Sequence, residues 1–213
     1  MTLNKMKIIG ITGGIGSGKS CVLQYLAEKE GVYIIEADRL AEELMNKGKS
    51  IYTAIVKSFG DDILDEEGSI DRAKLAGIVF NDPESLKLLN SLTHPAVKKE
   101  ILSRIDMAED GFLKNDRREE IKLFIIEAAL LIEDGYKEIC NMMCYVFAER
   151  DVRIKRLIAG RGYTREICLA IMNNQKDDSF YLDNSDVVID NSNDFSITER
   201  LIEDIYKKYF TNC

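Results

Sequence analysis

The chain of 213 residues carries a formal net charge of −8, with 46% hydrophobic and 31% charged residues, as in soluble globular proteins. Its length predicts one domain with a sizeable core, and its negative charge argues against broad electrostatic binding to nucleic acid or to an anionic membrane. No apolar run approaches the roughly 18 residues that span a bilayer, and no leader pattern is evident, so we expect a cytoplasmic protein.

The five cysteines are odd in number and include no Cys-x-x-Cys pair, so we expect reduced thiols. They are Cys21, Cys140, Cys144, Cys168 and Cys213. The only histidine, His94, lies far from all of them in sequence, which gives little support to a zinc site.

The first predicted element is a strand over residues 6–12, an unbroken apolar run of the kind that forms buried parallel strands. A helix is predicted over residues 20–30, ended by Gly31. Its apolar positions recur at helical spacing and are expected to be buried: Val22, Leu23, Leu26 and Ala27. A second strand over residues 32–36 follows, and this succession predicts a right-handed crossover in a parallel sheet.

Residues 13–20, GGIGSGKS, join the first strand to its helix and fit the phosphate-binding P-loop pattern G-x-x-x-x-G-K-[ST]. Glycines let successive N–H groups turn inward around a phosphate. In this pattern the lysine, here Lys19, reaches the β- and γ-phosphates. The hydroxyl of the following residue, here Ser20, binds Mg²⁺. The pattern predicts a nucleoside triphosphate site, and the alternative is a glycine-rich turn with a chance Gly-Lys-Ser.

Two acidic residues, Glu36 and Asp38, stand at the end of the second strand. Groups that contact ligands gather at the carboxyl ends of strands in open α/β sheets, which favours a functional role for Asp38. The alternative is that Asp38 only caps a helix predicted over residues 39–48.

The next part of the chain is predicted to be a run of short helices, which we interpret as a substrate-side insertion. The predicted helices cover residues 50–59, 71–80, 83–93 and 96–107. Pro83 and Pro95 are expected at helix starts, where a missing N–H does no harm. His94 is either a helix-boundary residue that packs locally or a substrate contact. The charged residues 108–120 are predicted to form a solvated loop or a frayed helix end.

Three further buried strands are predicted, the first within residues 121–132 and the others over residues 142–148 and 186–190. Between the last two lies a cluster of basic residues in an otherwise acidic chain: Arg150, Arg153, Lys155, Arg156 and Arg161. This segment is suited to a mobile lid that brings arginines to a transferring phosphoryl group, and the alternative is a solvated helix with ion pairs.

The last predicted helix begins with a capping box formed by Ser196 and Glu199. Its apolar face is predicted to bury Ile197, Leu201, Ile205 and Tyr209.

Taken in order, these segments resemble the dephospho-coenzyme A kinase family over nearly the whole chain. The matching stretches are GITGGIGSGKS, EADRLAEEL, FGDDILDEEGSIDRAKLAGIVF, LNSLTHPAV, EAALLIE, RIKRLIAGRGY, the lone Gln175 and DVVIDN. The resemblance implies a P-loop NTPase three-layer α/β fold with a five-stranded parallel sheet, a helical substrate-binding insertion and a lid. It also implies ATP-dependent phosphorylation of the ribose 3′-hydroxyl of dephospho-coenzyme A, the final step of coenzyme A biosynthesis.

The resemblance also implies a core of residues 6–49, 121–150 and 185–213, a coenzyme A subdomain of about residues 50–120, and a lid of about residues 151–178. The implied catalytic residues are Asp38, Lys19 and Arg161. The implied ATP-binding residues are Gly13, Gly14, Ile15, Gly16, Ser17, Gly18, Lys19, Ser20, Cys21, Arg156 and Asn191. Those implied for the second substrate are Glu36, Asp38, Arg72, His94 and Gln175, and Ser20 is the implied Mg²⁺ ligand.

The chain departs from the family pattern at several positions. Glu36 replaces the first acid of Asp-Ala-Asp, Cys21 replaces a threonine, and ALLIE at residues 129–133 replaces the family's Pro-Leu-Leu-Phe-Glu run, with Ala129 at the proline. Tyr181 stands where an arginine is usual, leaving a ring that can stack on the nucleotide instead. The alternatives to the kinase are a nucleotide-binding regulator with weakened catalysis and a kinase of another nucleoside or nucleotide. The expected partners are ATP and dephospho-coenzyme A, without nucleic acid or membrane, in a monomer or weak homo-oligomer.

Overall fold

The computed structural model describes residues 6–208, so Cys213 and the predicted core residue Tyr209 lie outside the described part. Its elements in chain order are β1 Lys7–Thr12, α1 Lys19–Ala27, β2 Val32–Glu36, α2 Ala37–Leu44, α3 Tyr52–Phe59, α4 Arg72–Asn81, α5 Pro83–Glu109, β3 Leu123–Glu127, β4 Met142–Phe147, α6 Arg150–Arg161, α7 Arg165–Asn173, α8 Asp178–Asp183, β5 Val187–Asp190 and α9 Phe195–Tyr206. Within this part, no helix is long and apolar enough to cross a membrane.

The five strands form one sheet in the order β2-β3-β1-β4-β5, which places β1 at its centre. β1 pairs in parallel with β3 and with β4, and β4 pairs in parallel with β5. The parallel pairing brings the carboxyl ends of these strands to one edge of the sheet, where α/β proteins bind ligands. The predicted α/β fold with a five-stranded parallel sheet is confirmed.

The chain divides into two compact units, and the division falls inside β2. We call Met1–Ile34 with Ala108–Cys213 the sheet unit, and Ile35–Met107 the helical unit. The functional division into a core, a substrate subdomain and a lid stays a prediction.

In the sheet unit, both faces of the sheet are covered. On one face α1 and α9 pack on the alternate strand residues that point towards them, forming a cluster that includes Val22, Leu23, Leu26, Val146 and Ile202. On the other face α8 packs against β4, and the ring of Tyr181 stacks on that of Tyr145 with centroids 5.0 Å apart. The predicted burial of Val22, Leu23 and Leu26 in α1 is therefore confirmed.

Two helices of the sheet unit differ from the sequence prediction at their ends. α1 stops at Ala27, three residues early, and Ala27 is exposed rather than buried. α9 is capped by Asp194, whose carboxylate accepts a hydrogen bond from the Ser196 amide at 3.0 Å, so the predicted capping box of Ser196 and Glu199 is wrong. An aspartate two residues earlier already satisfies the helix start. In this frame Ile197 is 54% exposed, not buried as predicted.

Residues 108–109 are the end of α5, and most of residues 110–120 are exposed, as predicted for a solvated loop or frayed helix end, but two side chains anchor the segment. Asn115 is buried, and its side-chain amide donates to the carbonyl oxygen of Val32 at 3.3 Å. The carboxylate of Glu119 accepts a hydrogen bond from the amide of Gly31 at 2.9 Å. These polar side chains satisfy backbone groups where α1 ends and β2 begins, which a reading of local charge does not reveal.

In the helical unit, the predicted helix start at Pro83 is confirmed, since Pro83 is the first residue of α5. The predicted start at Pro95 is wrong, because α5 runs through Pro95 without a break. An internal proline removes one helical hydrogen bond and costs about 3 kcal/mol. Burial of one face of the helix on both sides of the proline offsets this cost, through Thr93, Val97, Ile101 and Ile105.

Candidate functional site

The candidate site is the loop between β1 and α1 in the sheet unit. Gly16 and Gly18 have φ values of 77° and 91°, in the left-handed region that favours glycine. A Cβ atom added to Gly18 would lie 2.2 Å from the side-chain nitrogen of Asn191. Both the backbone conformation and the space at this position therefore require glycine.

The loop presents a group of unpaired amides at the start of α1. The backbone N–H groups of Gly16, Gly18, Lys19 and Ser20 have no acceptor within residues 6–208. Consecutive free amides at a helix N-terminus form a concave nest that binds anions, assisted by the helix dipole. This arrangement is suited to binding a phosphate group.

Lys19 is held across the loop by two oxygen atoms. Its Nζ donates to the carbonyl oxygen of Gly13 at 2.8 Å and lies 3.6 Å from Oε1 of Glu127. Glu127 is the last residue of β3, paired in register with Ile11 of β1. The sequence prediction missed Glu127, although an acidic residue at the end of a buried strand was a signal for it.

Arg156 and Asn191, both predicted to bind ATP, meet at Ser17 of the loop. The Arg156 guanidinium donates to the carbonyl oxygens of Ser17 at 3.2 Å and of Asn191 at 2.8 Å. The Asn191 side chain donates to the same Ser17 oxygen at 2.8 Å and accepts from Thr198 at 3.0 Å. The structure thus joins α6, the end of β5 and α9 to the loop through hydrogen bonds.

Arg153 and Gln175 hold the backbone of Ile15, a neighbouring residue of the loop. Nε of Arg153 donates to the Ile15 carbonyl oxygen at 2.9 Å, and the Ile15 amide donates to Oε1 of Gln175 at 2.9 Å. Nη2 of Arg153 donates to the same Gln175 oxygen at 3.2 Å. From the sequence, Arg153 was one member of the basic cluster, and the family resemblance implied Gln175 as a contact of the second substrate. The contact that Gln175 makes in the structure is with the loop.

Two tyrosines, Tyr145 and Tyr181, lie close to Arg153. The Tyr145 hydroxyl donates to Asp178 at 2.6 Å. Burial, and to a smaller extent this hydrogen bond, raises the pKa of the Tyr145 phenol, so the hydroxyl remains a hydrogen-bond donor. Oδ1 of Asp178 lies 3.7 Å from Nη1 of Arg153. Tyr181 is 4% exposed and stacked on Tyr145, so it offers little ring surface to a bound base.

Arg161, the predicted catalytic arginine, is the last residue of α6 and is exposed. Its guanidinium carbon lies 6.0 Å from the ring centre of Tyr163, and no contact in the described part of the chain joins it to the loop. Its catalytic role stays a prediction.

The residues predicted for the second substrate, apart from Gln175, lie in the helical unit. Glu36 is the N-cap of α2 and pairs with Arg39, while Asp38 lies inside the first turn and is exposed. The alternative that Asp38 merely caps a helix is therefore wrong. Within residues 35–107 the Asp38 carboxylate has no hydrogen-bond or ion-pair partner.

Two other predicted substrate residues sit on helices of the same unit. Arg72 begins α4 and forms an exposed ion pair with Glu42. His94 lies inside α5, immediately before Pro95, so the interpretation of it as a helix-boundary residue is wrong. Its contact with a substrate stays a prediction.

Two cysteines provide a labelling test of the loop. Cys21 is exposed at the third position of α1, whereas Cys144 is buried in β4, where burial raises the pKa of its thiol to about 12. Because the thiolate is the reactive form, we expect iodoacetamide at neutral pH to label Cys21 and to leave Cys144 unlabelled. Mg-ATP should slow the labelling of Cys21, as measured by peptide mass spectrometry. Equal rates with and without Mg-ATP would contradict a nucleotide at the start of α1.

Comparisons with known proteins give a consistent match along the chain. The family model described as dephospho-CoA kinase matches residues 7–196. The dephospho-CoA kinase of Carboxydothermus hydrogenoformans is 38% identical over 96% of this chain and 95% of its own length. That of Aquifex aeolicus is 39% identical over 95% of this chain and 97% of its own length.

Solved structures agree with these relatives. The crystal structure of TT1252 from Thermus thermophilus superimposes with a TM-score of 0.76 at 28% identity, covering 96% of this chain and 98% of that one. The dephospho-CoA kinase from Campylobacter jejuni gives a TM-score of 0.65 at 21% identity, covering 96% and 97%, and supports the fold.

Proposed function

The chain belongs to the dephospho-CoA kinase family, and we propose that it transfers the γ-phosphoryl group of ATP to the ribose 3′-hydroxyl of dephospho-coenzyme A. The observation that carries this proposal is the nest of four free amides around Lys19 in a chain matched to the family over residues 7–196. The products are ADP and coenzyme A.

In this proposal the P-loop binds ATP. Its amides and Lys19 bind the phosphates, and the arginines of α6 add positive charge beside the loop. Phosphoryl transfer needs little covalent chemistry from the protein, so positioning and electrostatic stabilisation supply most of the rate gain. Gln175 acts on this nucleotide side through the Ile15 amide.

In this proposal Asp38 activates the 3′-hydroxyl of the acceptor. The 3′-hydroxyl oxygen forms a bond to the γ-phosphorus, the bond from that phosphorus to the β,γ-bridging oxygen breaks, and the hydroxyl proton passes to the Asp38 carboxylate. An exposed carboxylate without a partner in its own unit is available for this role. Glu36, Arg72 and His94 contribute to binding dephospho-coenzyme A.

Mg²⁺ accompanies ATP in this proposal, and the residues present fit it. Mg²⁺ keeps several waters and takes one or two protein oxygen ligands together with substrate phosphates. The hydroxyl of Ser20, exposed at the start of α1, supplies such an oxygen. When bound, the ion neutralises charge on the phosphates. No group of three or more metal-binding side chains is found in the part of the chain that the structure describes, and Mg-ATP does not need one.

The cellular compartment and the partners of the protein are inferred from its composition and its free thiols. The described cysteines are all free, as in a reducing cytoplasm, and a net charge of −8 is unfavourable for nucleic acid. The protein acts as a cytoplasmic monomer or weak homo-oligomer. Residues of about 151–178 serve as its lid, and about 50–120 serve as its coenzyme A subdomain.

The decisive experiment measures ADP release by the purified protein with Mg-ATP, with and without dephospho-coenzyme A. The expected result is ADP release that depends on the acceptor, with a product heavier by one phosphoryl group in the mass spectrum. Binding of ATP without such a product would favour a nucleotide-binding regulator. Phosphorylation of another nucleoside or nucleotide instead would show that the acceptor has been assigned wrongly.

A further inference from the structure

Arg153 is the only arginine that is buried among the described residues. Its side chain is 8% exposed, and the carboxylate nearest to it, Asp178, lies 3.7 Å away and is 45% exposed. Burying a guanidinium is costly unless oxygen atoms or charges compensate it. The internal compensation of Arg153 is therefore incomplete.

The hydrogen bonds of Arg153 leave part of its guanidinium unused. A guanidinium has five N–H groups, and in the described chain two of them are engaged, Nε with Ile15 and one on Nη2 with Gln175. Both groups on Nη1 lack a hydrogen-bonded acceptor, since 3.7 Å to Asp178 is too long for a hydrogen bond. The residue is fixed in place by two bonds and keeps donors for an anion.

Those donors lie at the β- and γ-phosphate end of the loop. A Cβ atom added to Gly14 would lie 2.1 Å from Nη2 and 3.0 Å from Nη1 of Arg153, so the guanidinium rests directly on Gly14. Lys19, which serves the β- and γ-phosphates in this motif, reaches the adjacent residue Gly13. The two cations therefore face the same end of a bound triphosphate.

We propose that Arg153 is the lid arginine that contacts the γ-phosphoryl group of ATP. This inference rests on the proposed function and adds to it the assignment of one residue. Arg156 is used differently, because its guanidinium holds the carbonyl oxygens of Ser17 and Asn191. Negative charge on the γ-phosphoryl oxygens completes the compensation of Arg153, and the paired N–H groups suit phosphate geometry.

The test compares the affinities for Mg-ATP and Mg-ADP by isothermal titration calorimetry, in the absence of any acceptor. Arg153→Gln should weaken Mg-ATP binding about tenfold or more, the size of a lost charged hydrogen bond, and leave Mg-ADP binding within about twofold. Arg165→Gln is the matched control, because it removes an exposed guanidinium from α7 whose ion pair within residues 6–208 is with Asp151. Its affinities for both nucleotides should match those of the unaltered protein.

Two results would overturn the proposal. Equal weakening of Mg-ATP and Mg-ADP would make Arg153 a support of the loop without a γ-phosphoryl contact, and unchanged affinities would leave it no role with the nucleotide. If Arg153→Gln fails to fold, Arg153→Lys is used instead, because lysine keeps the positive charge but lacks the planar guanidinium. A partial loss of affinity for Mg-ATP alone supports the contact with the γ-phosphoryl group. An equal loss of affinity for Mg-ATP and Mg-ADP refutes it. The calorimetric comparison is made without dephospho-coenzyme A, so it is independent of the ADP-release experiment. Failure to form coenzyme A in that experiment would refute the proposed function and would leave the assignment of Arg153 to be decided by calorimetry.

Discussion

Lys19→Ala is expected to lower kcat/KM for ATP by about a thousandfold, the upper range for removing one charged donor from a phosphoryl- or oxyanion-stabilising site. The Lys19 side chain is 18% exposed and fixed between Gly13 and Glu127, so its ammonium needs little reorganisation when the phosphates bind. Since the ammonium interacts with both ground-state ATP and the transferring group, KM should rise and kcat should fall. Steady-state kinetics at saturating dephospho-coenzyme A measure both.

Two controls separate this effect from local disruption. Lys122→Ala removes an exposed lysine that pairs with Glu30, and it should leave the kinetics unchanged. Lys19→Ala also takes a partner from Glu127, so the double variant Lys19→Ala with Glu127→Gln removes both charges. The double variant should stay inactive. Full activity in either variant that lacks Lys19 would contradict the assignment of the P-loop.

Asp38→Asn is expected to lower turnover at least about a hundredfold while Mg-ATP affinity stays nearly unchanged. The amide keeps the shape of the carboxylate but cannot accept the hydroxyl proton. The carboxylate has no hydrogen-bond or ion-pair partner within residues 35–107, so the change breaks no interaction of the helical unit. Single-turnover formation of coenzyme A, together with calorimetric titration of Mg-ATP, measures the two quantities.

The matched control is Asp62→Asn, the same chemical change at another exposed aspartate of the helical unit. It should leave turnover and thermal stability as they are. If Asp38→Asn turned over at the rate of the unaltered protein, Asp38 would have no part in the proton transfer, and another acidic residue would have to be sought.

Elements whose cause is local could be predicted from the sequence. β2 begins and ends where predicted, because an apolar run follows Gly31 and gives way to polar residues. The P-loop was predictable because its glycines and Lys19 lie within eight consecutive residues between a strand and a helix. The pattern of ordered motifs also determined the family, which the comparisons confirm.

Helix boundaries with competing local signals were less predictable. Asp194 and Ser196 are both good capping residues, and the structure begins α9 directly after Asp194. Pro95 is a strong local reason to end a helix, yet burial of the face it interrupts carries α5 through it. At Pro95 a local preference of about 3 kcal/mol against the helix was outweighed by tertiary contacts.

The composition of the site was decided by the tertiary structure. Arg153 binds the carbonyl oxygen of Ile15 across 138 residues of chain, and Gln175 accepts from the amide of the same residue across 160. Glu127 meets Lys19 because the parallel register places it beside Ile11. Sequence spacing shows which residues can share a helix face, but it does not show which of several arginines a packed helix turns towards a loop. Five arginines and lysines were candidates, and only the packing of α6 distinguished Arg153 and Arg156 from exposed Arg161.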